Sequence, residues 1–263
     1  MGRVGRWGRG GRRGLRRSRR ASGAGVVLVV AFVVSGCLAP RTTAAMIPTW
    51  CADQSAIVVL GDSHSTGYGL PDYPGGGAFE PTGAGWTSTV LRRASDEWGT
   101  VTTVLAHNGA LAADFRPGGR WPETTSASEY VHDVQPALVI VALGANEFAS
   151  DLAPTEFDEH YRGLVAELQR ASPRSAVLLL VPPEMGARLV PDPVYSWDAY
   201  TAVIETVAAE KGAELLDLGQ YLPPGGTPEA EGLYLADAAH LTEAGHRVVH
   251  AAVWTFLEAS CAQ

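Results

Sequence analysis

A doubly wound α/β domain, three layers deep around a central five-stranded parallel sheet, follows from three features of the sequence. Five short apolar runs recur along the chain, near-continuous in Val, Leu, Ile and Ala, as strands covered on both faces are. Stretches with apolar residues at helical spacing lie between them. No break in composition interrupts this rhythm, so a single domain accounts for it. The 263 residues, 46% hydrophobic and 18% charged, are enough to bury a sizeable core without metal or multiple disulfide staples.

Residues 1–37 read as an address. Nine of the 20 basic residues are Arg lying between Arg3 and Arg20, in Gly/Arg repetition that cannot build a core. Ala24 to Ser35 is then apolar throughout, too short to span a bilayer, which takes roughly 20 apolar residues. A basic stretch, a short apolar stretch and small residues make a secretory signal. Its end, Val34-Ser35-Gly36-Cys37, resembles a bacterial lipobox, which implies a lipid-bearing Cys37 as the new N-terminus. An ordinary signal peptide or an uncleaved anchor is the alternative. Residues 38–50 form a tether, and 51–263 the folded domain. The chain after Ala21 carries eleven basic against 28 acidic residues, a balance that excludes nucleic acid as a partner. Lys211 is the only lysine, a composition suggestive of a high-GC bacterial gene.

Cys51 and Cys261 bracket the domain. Domain termini often lie close together, and an exported chain can keep a disulfide, so a Cys51–Cys261 bridge is expected, with two buried thiols as the alternative. The first strand is Ala56–Gly61, stopped by glycine. The second is Val101–Ala106, the third Ala137–Leu143, the fourth Ala176–Val181 and the fifth Ala213–Leu218. Helices are expected at 85–97, from Thr155, at 197–210 and from Thr242. Thr155 with Asp158 approximates a capping box, and the helix behind it lines up Phe157, Tyr161, Leu164, Val165 and Leu168. The last helix is expected to bury Val249, Val253, Phe256 and Leu257. Gly/Pro-rich loops occupy 69–85 and 222–232.

Three blocks near strand ends or in the last loop carry suggestive side chains. Gly61-Asp62-Ser63-His64-Ser65 follows the first strand, Gly144-Ala145-Asn146-Glu147 the third, and Asp237-Ala238-Ala239-His240 precedes the last helix. A serine becomes nucleophilic when a base takes its proton, and a histidine titrates near neutrality. A carboxylate three residues before that histidine can fix its tautomer and stabilise the imidazolium. Ser63, His240 and Asp237 satisfy this logic, and Asn146 can donate an amide hydrogen to a developing oxyanion. Taken singly, each has a plainer reading as a cap, a turn or a structural side chain; their joint order carries the argument. His64 is read as shaping the turn. His107, His132, His160, His246 and His250 lack ligand spacing and are read as structural or surface residues. Tyr68, Tyr73, Trp86, Trp121 and Tyr234 either line a substrate pocket or fill core.

These blocks resemble the SGNH/GDSL hydrolase family, with its Gly-Asp-Ser, Gly, Gly-Xaa-Asn and Asp-Xaa-Xaa-His blocks, over roughly residues 54–258. The resemblance implies a flavodoxin-like sandwich with Ser63 as nucleophile, His240 as base and Asp237 as its orienting carboxylate. It implies an oxyanion hole of the Ser63 amide, Asn146 and a backbone donor from the Gly block. That block reads Asn108-Gly109-Ala110-Leu111-Ala112-Ala113-Asp114. The family register places Ala113 where glycine is usual, while Gly109 is the only glycine present. Gly109 is taken as the donor, with Ala113 the alternative.

The expected function is therefore an exported serine esterase acting on short-chain or O-acetyl esters through an acyl-enzyme. It would need no cofactor or metal, act as a monomer, and be lipid-anchored on the outer face of the membrane or secreted. Its partners would be a small acyl ester or an acylated glycan or lipid. Acyl transfer to another acceptor suits the same residues. Asp62-Ser63-His64 also echoes the opening of binuclear metallophosphoesterases, but the intervening metal-binding block is missing. A silent envelope-glycan binding module would have no need of all four chemical groups.

Overall fold

The computed structural model describes residues 49–186 and 189–262. The leader at 1–37, lipidation at Cys37 and nearly all of the 38–50 tether lie outside the described residues. Five parallel strands, β1 (Ala56–Gly61), β2 (Val101–Ala106), β3 (Leu138–Ala142), β4 (Ala176–Val181) and β5 (Glu214–Asp217), form one sheet in the order β2-β1-β3-β4-β5. Register is continuous across it: Val59 pairs with both Val104 and Ile140, and Ile140 pairs with Leu178.

Alternate strand residues face opposite layers, and both sets are apolar. Val58, Leu60, Val139, Val141, Leu179 and Val181 meet helices α5 (Ala127–Val134), α7 (Pro154–Ala171) and α8 (Trp197–Lys211). Ile57, Val59, Leu138, Ile140, Leu178 and Leu180 meet α1 (Thr49–Ala52), α3 (Trp86–Trp98) and α9 (Glu243–Cys261). Single-turn helices α2 (Ser63–Thr66), α4 (Pro122–Thr125) and α6 (Ala145–Ala149) fill connections. The three-layer α/β/α reading of the sequence is therefore the fold. Among the described residues no helix is long and apolar enough to cross a membrane.

Local departures have physical reasons. The α7 stripe Phe157, Tyr161, Leu164, Val165 and Leu168 is buried as expected, but Thr155 does not cap it. Ala153 is the N-cap and Pro154 takes the first helical position, where its missing N–H and fixed φ suit the turn. Asp158 instead pairs with Arg162 at 2.7 Å. Thr242 does cap α9, accepting from the Gly245 amide. Phe256 is only partly buried, whereas Trp254 is buried in the core.

Cys51 and Cys261 are disulfide-bonded with Cα atoms 5.3 Å apart, tying α1 to the end of α9 across 210 positions. Closing so long a loop removes much denatured-state entropy, typically worth about 2–4 kcal/mol. Cys51→Ala with Cys261→Ala is expected to lower Tm by about 5–15 °C in thermal unfolding, with no further drop on adding reductant.

Candidate active site

The chain passes from β1 to the edge strand β2 at its side and then crosses to β1's other side as β3. Such a switch point opens a crevice at the carboxyl ends of β1 and β3, where open α/β sheets bind ligands. Ser63 follows β1 and Asn146 follows β3, so both stand at this crevice.

A Cβ at Gly61 would collide with the Ser65 hydroxyl, so glycine lets the chain turn tightly out of β1. Asp62 caps α2, its carboxylate accepting from the His64 amide at 3.0 Å. Ser63 becomes the first residue of that turn. Its amide makes no hydrogen bond among the described residues. Its Oγ lies 3.0 Å from His240 Nε2, and His240 Nδ1 lies 2.7 Å from Asp237 Oδ2. The other carboxylate oxygen, Asp237 Oδ1, accepts from the amides of Ala239 and His240, each at 3.0 Å. Hydroxyl, imidazole and carboxylate are thus in line. A proton leaving Ser63 can settle on Nε2 while Asp237 balances the imidazolium charge.

Burial holds His240 below its ordinary value of 6.5, aided by the nearby His64 and opposed by Asp237 and Asp62. It is therefore a neutral base at neutral pH. Burial disfavours the charged form of Asp237, but the hydrogen bonds from His240 and the two amides outweigh it and keep the carboxyl below its usual range.

The loop bearing these two residues is held on several sides. Ala238 sits at φ 60°, a left-handed conformation uncommon for a residue with a Cβ. Its carbonyl accepts from the Gly186 amide at 2.8 Å, and a Cβ on Gly225 would collide with the same oxygen. His64, buried, reaches across with Nε2 2.9 Å from the Ala239 carbonyl. Its part is larger than shaping a turn, because it joins the Ser63 turn to the His240 loop.

Asn146 lies in the first turn of α6, behind Gly144 at φ 127°. Its Nδ2 donates to Asp62 Oδ2 at 3.2 Å and to the Ala110 carbonyl at 3.1 Å. Both contacts are long, so a developing oxyanion can draw one of these hydrogens away. In the 107–114 segment the amides of Gly109 and Ala113 are the two without a hydrogen bond. Gly109 is at φ 74° with open space where a Cβ would be. Ala113 lies in a one-turn helix, Ala112–Phe115. Either can donate.

Around the mouth, the half-exposed Tyr68 packs its ring 4.5 Å from His240, with Tyr73 behind it at 5.6 Å. His107 stacks on Trp121 at 3.8 Å, and the Arg120 guanidinium lies over the Trp121 ring at 4.2 Å. Trp86 and Tyr234 are core residues. His246 is buried beneath the site, its Nδ1 accepting from the Trp86 amide at 3.3 Å. Among the described residues no three His, Cys, Asp or Glu side chains are grouped so as to hold a metal.

Sequence reasoning passed over Glu147, which is 1% exposed. Burial pushes its carboxyl up to about 7, helped by Asp62 and Asp114 and opposed by the Ala112 amide. A charged residue followed directly by the apolar pair Phe148-Ala149 in the Asn146 block was the available signal.

The chain also resembles known proteins. The GDSL-like Lipase/Acylhydrolase family matches residues 59–248. Esterase TesA of Pseudomonas aeruginosa is 27% identical over 234 residues, covering 87% of this chain and 98% of that protein. Two solved structures share the fold. A crystal structure of TesA has a TM-score of 0.60 at 22% identity, covering 78% of this chain and 99% of that one. A lipase/acylhydrolase from Enterococcus faecalis has 0.60 at 19%, covering 78% and 96%.

Proposed function

This chain belongs to the GDSL-like lipase/acylhydrolase family, and we propose that it is an exported serine esterase cleaving short-chain or O-acetyl esters through an acyl-enzyme. The observation that carries this reading is the unbroken line Ser63–His240–Asp237 at the β1/β3 crevice, with contacts of 3.0 and 2.7 Å. Ser63 Oγ attacks the ester carbonyl carbon while His240 Nε2 takes its proton. The carbonyl oxygen becomes an oxyanion, facing the Ser63 amide, Asn146 Nδ2 and the amide of Gly109 or Ala113. As the C–O bond breaks, Nε2 returns the proton to the departing alcohol. Water then repeats the cycle, Nε2 taking its proton and handing it back to Ser63 as the acid leaves.

Export rests on the Arg-rich leader and the apolar run ending at Cys37, the proposed lipid attachment point. The Cys51–Cys261 disulfide suits an oxidising compartment. The mature protein is proposed as a monomer.

Hydrolysis of p-nitrophenyl acetate and butyrate tests the enzymatic reading. The full chain is expected to turn over both with or without EDTA, and Ser63→Ala to fall by three orders of magnitude or more, roughly to the residual rate of an enzyme without its nucleophile. Equal rates in Ser63→Ala and the parent, or activity that EDTA abolishes, would overturn it.

A further inference from the structure

The two segments that carry the proposed oxyanion donors come from opposite sides of β1: 109–113 follows β2 and 145–147 follows β3. Nothing in the sheet's hydrogen bonding joins them, since both lie beyond the strand ends. Two hydrogen bonds cross between them. Asn146 Nδ2 donates to the Ala110 carbonyl at 3.1 Å, and the Ala112 amide donates to Glu147 Oε1 at 2.7 Å. The second is the shorter, and it engages the residue between Leu111 and Ala113. Around it, Asp114 accepts from the Leu111 amide at 2.8 Å and is gripped by Arg120, which also donates to the Gly109 carbonyl at 2.7 Å.

We infer that Glu147 is a positioning residue for ester hydrolysis: its carboxyl oxygen holds the 109–113 segment against Asn146, keeping the backbone donor and the side-chain donor in one frame. This rests on the proposed reading of the site, and it holds whether Gly109 or Ala113 is the donor. The geometry asks for an acceptor oxygen at Oε1, whatever its charge. Glu147 Oε2 and the Tyr161 hydroxyl, which both lie buried in this region, have no hydrogen-bond partner among the described residues. A carboxyl kept in so poor a setting is there for what its other oxygen holds. The ionisable groups facing it are Asp62, Asp114, Arg120, Tyr161 and Tyr200.

Steady-state kinetics of the full chain on p-nitrophenyl acetate test this. Glu147→Leu removes the acceptor and is expected to lower kcat about ten- to a hundredfold, as misplacement near 1 Å does, with KM within about threefold. Glu147→Gln keeps an amide oxygen in place and should restore kcat to within about threefold of the parent. Ala112→Pro removes the donor instead. It suits the first position of the one-turn helix, behind Leu111 at φ −103° and ψ 162°, and should reproduce the Glu147→Leu loss. The two losses should not add when combined. Thermal unfolding accompanies each assay, and Ala112→Pro carries the test should Glu147→Leu not fold. Folded Glu147→Leu with parental kcat, or Glu147→Gln as impaired as Glu147→Leu, overturns the inference. A Ser63→Ala control with parental activity would instead bring down the reading of the site.

Discussion

Asp237→Asn should lower kcat for ester hydrolysis by about three to four orders of magnitude while leaving Tm close to that of the parent. The carboxylate does two jobs with two oxygens. Oδ1 accepts from the Ala239 and His240 amides, and an asparagine oxygen can take over both bonds, so the 235–240 loop keeps its shape. Oδ2 accepts from His240 Nδ1. An asparagine nitrogen there is a donor, which favours the tautomer with its proton on Nε2, the nitrogen that must receive the Ser63 proton. The pH profile adds a second readout. In the parent, kcat/KM should fall tenfold per pH unit once pH drops through the His240 value, which lies below 6.5, and stay level above it. Removing the carboxylate removes a charge that raises the His240 value, so the residual activity of Asp237→Asn should hold to a lower pH than the parent's. An acid limb displaced upward, or a loss of activity matched by a loss of folding, would count against Asp237 as the orienting carboxylate.

The strands were legible because a parallel strand covered on both faces needs apolar residues at nearly every position, and Ala56–Gly61 or Ala176–Val181 admits no other reading. The three side chains of the proposed triad stood out for a different reason: each follows a strand or precedes the last helix, and the structure brings them within hydrogen-bond distance of one another. What the sequence hides is set by backbone geometry. Whether Gly109 or Ala113 presents a free amide depends on which neighbours are already engaged, Leu111 by Asp114 and Ala112 by Glu147. Neither bond follows from residue type. The α4–α5 stretch, 122–134, escaped notice because two short helices back to back offer too few turns for a period to show. Thr155 misled because a good capping residue stood next to a proline that fits one position better.

Two buried groups on opposite sides of the sheet should pull stability in opposite directions between pH 4.5 and 6.5, and single substitutions should expose the compensation between them. Burial drives His246 down to about 3, with the charges of His64 and His240 adding to the effect, so the folded protein keeps it neutral where the unfolded chain protonates it below 6.5. Through that window the unfolded state holds one more proton at this site, and the His246 contribution grows as pH rises. Glu147 behaves oppositely. Burial raises it to about 7 from an ordinary 4.5, so the folded protein holds a proton that the unfolded chain has lost, and its contribution shrinks as pH rises through the same window. Each slope is about 1.4 kcal/mol per pH unit, and together they cancel. Burial displaces His240 and His250 in the sense of His246, and Asp62, Glu184 and Glu214 in the sense of Glu147. The lowered carboxyls Asp114 and Asp237 act only below about pH 4. Urea unfolding across the window, with each variant compared to the parent at the same pH, should therefore separate the two contributions. Relative to the parent, His246→Gln, with the acceptor for Trp86 retained, should lose about 2 kcal/mol on going from pH 4.5 to 6.5, and Glu147→Gln should gain about as much. The double variant should run parallel to the parent again. Parallel curves for parent and single variants would mean that these groups titrate alike in the folded and unfolded chains, and that burial does not hold them neutral.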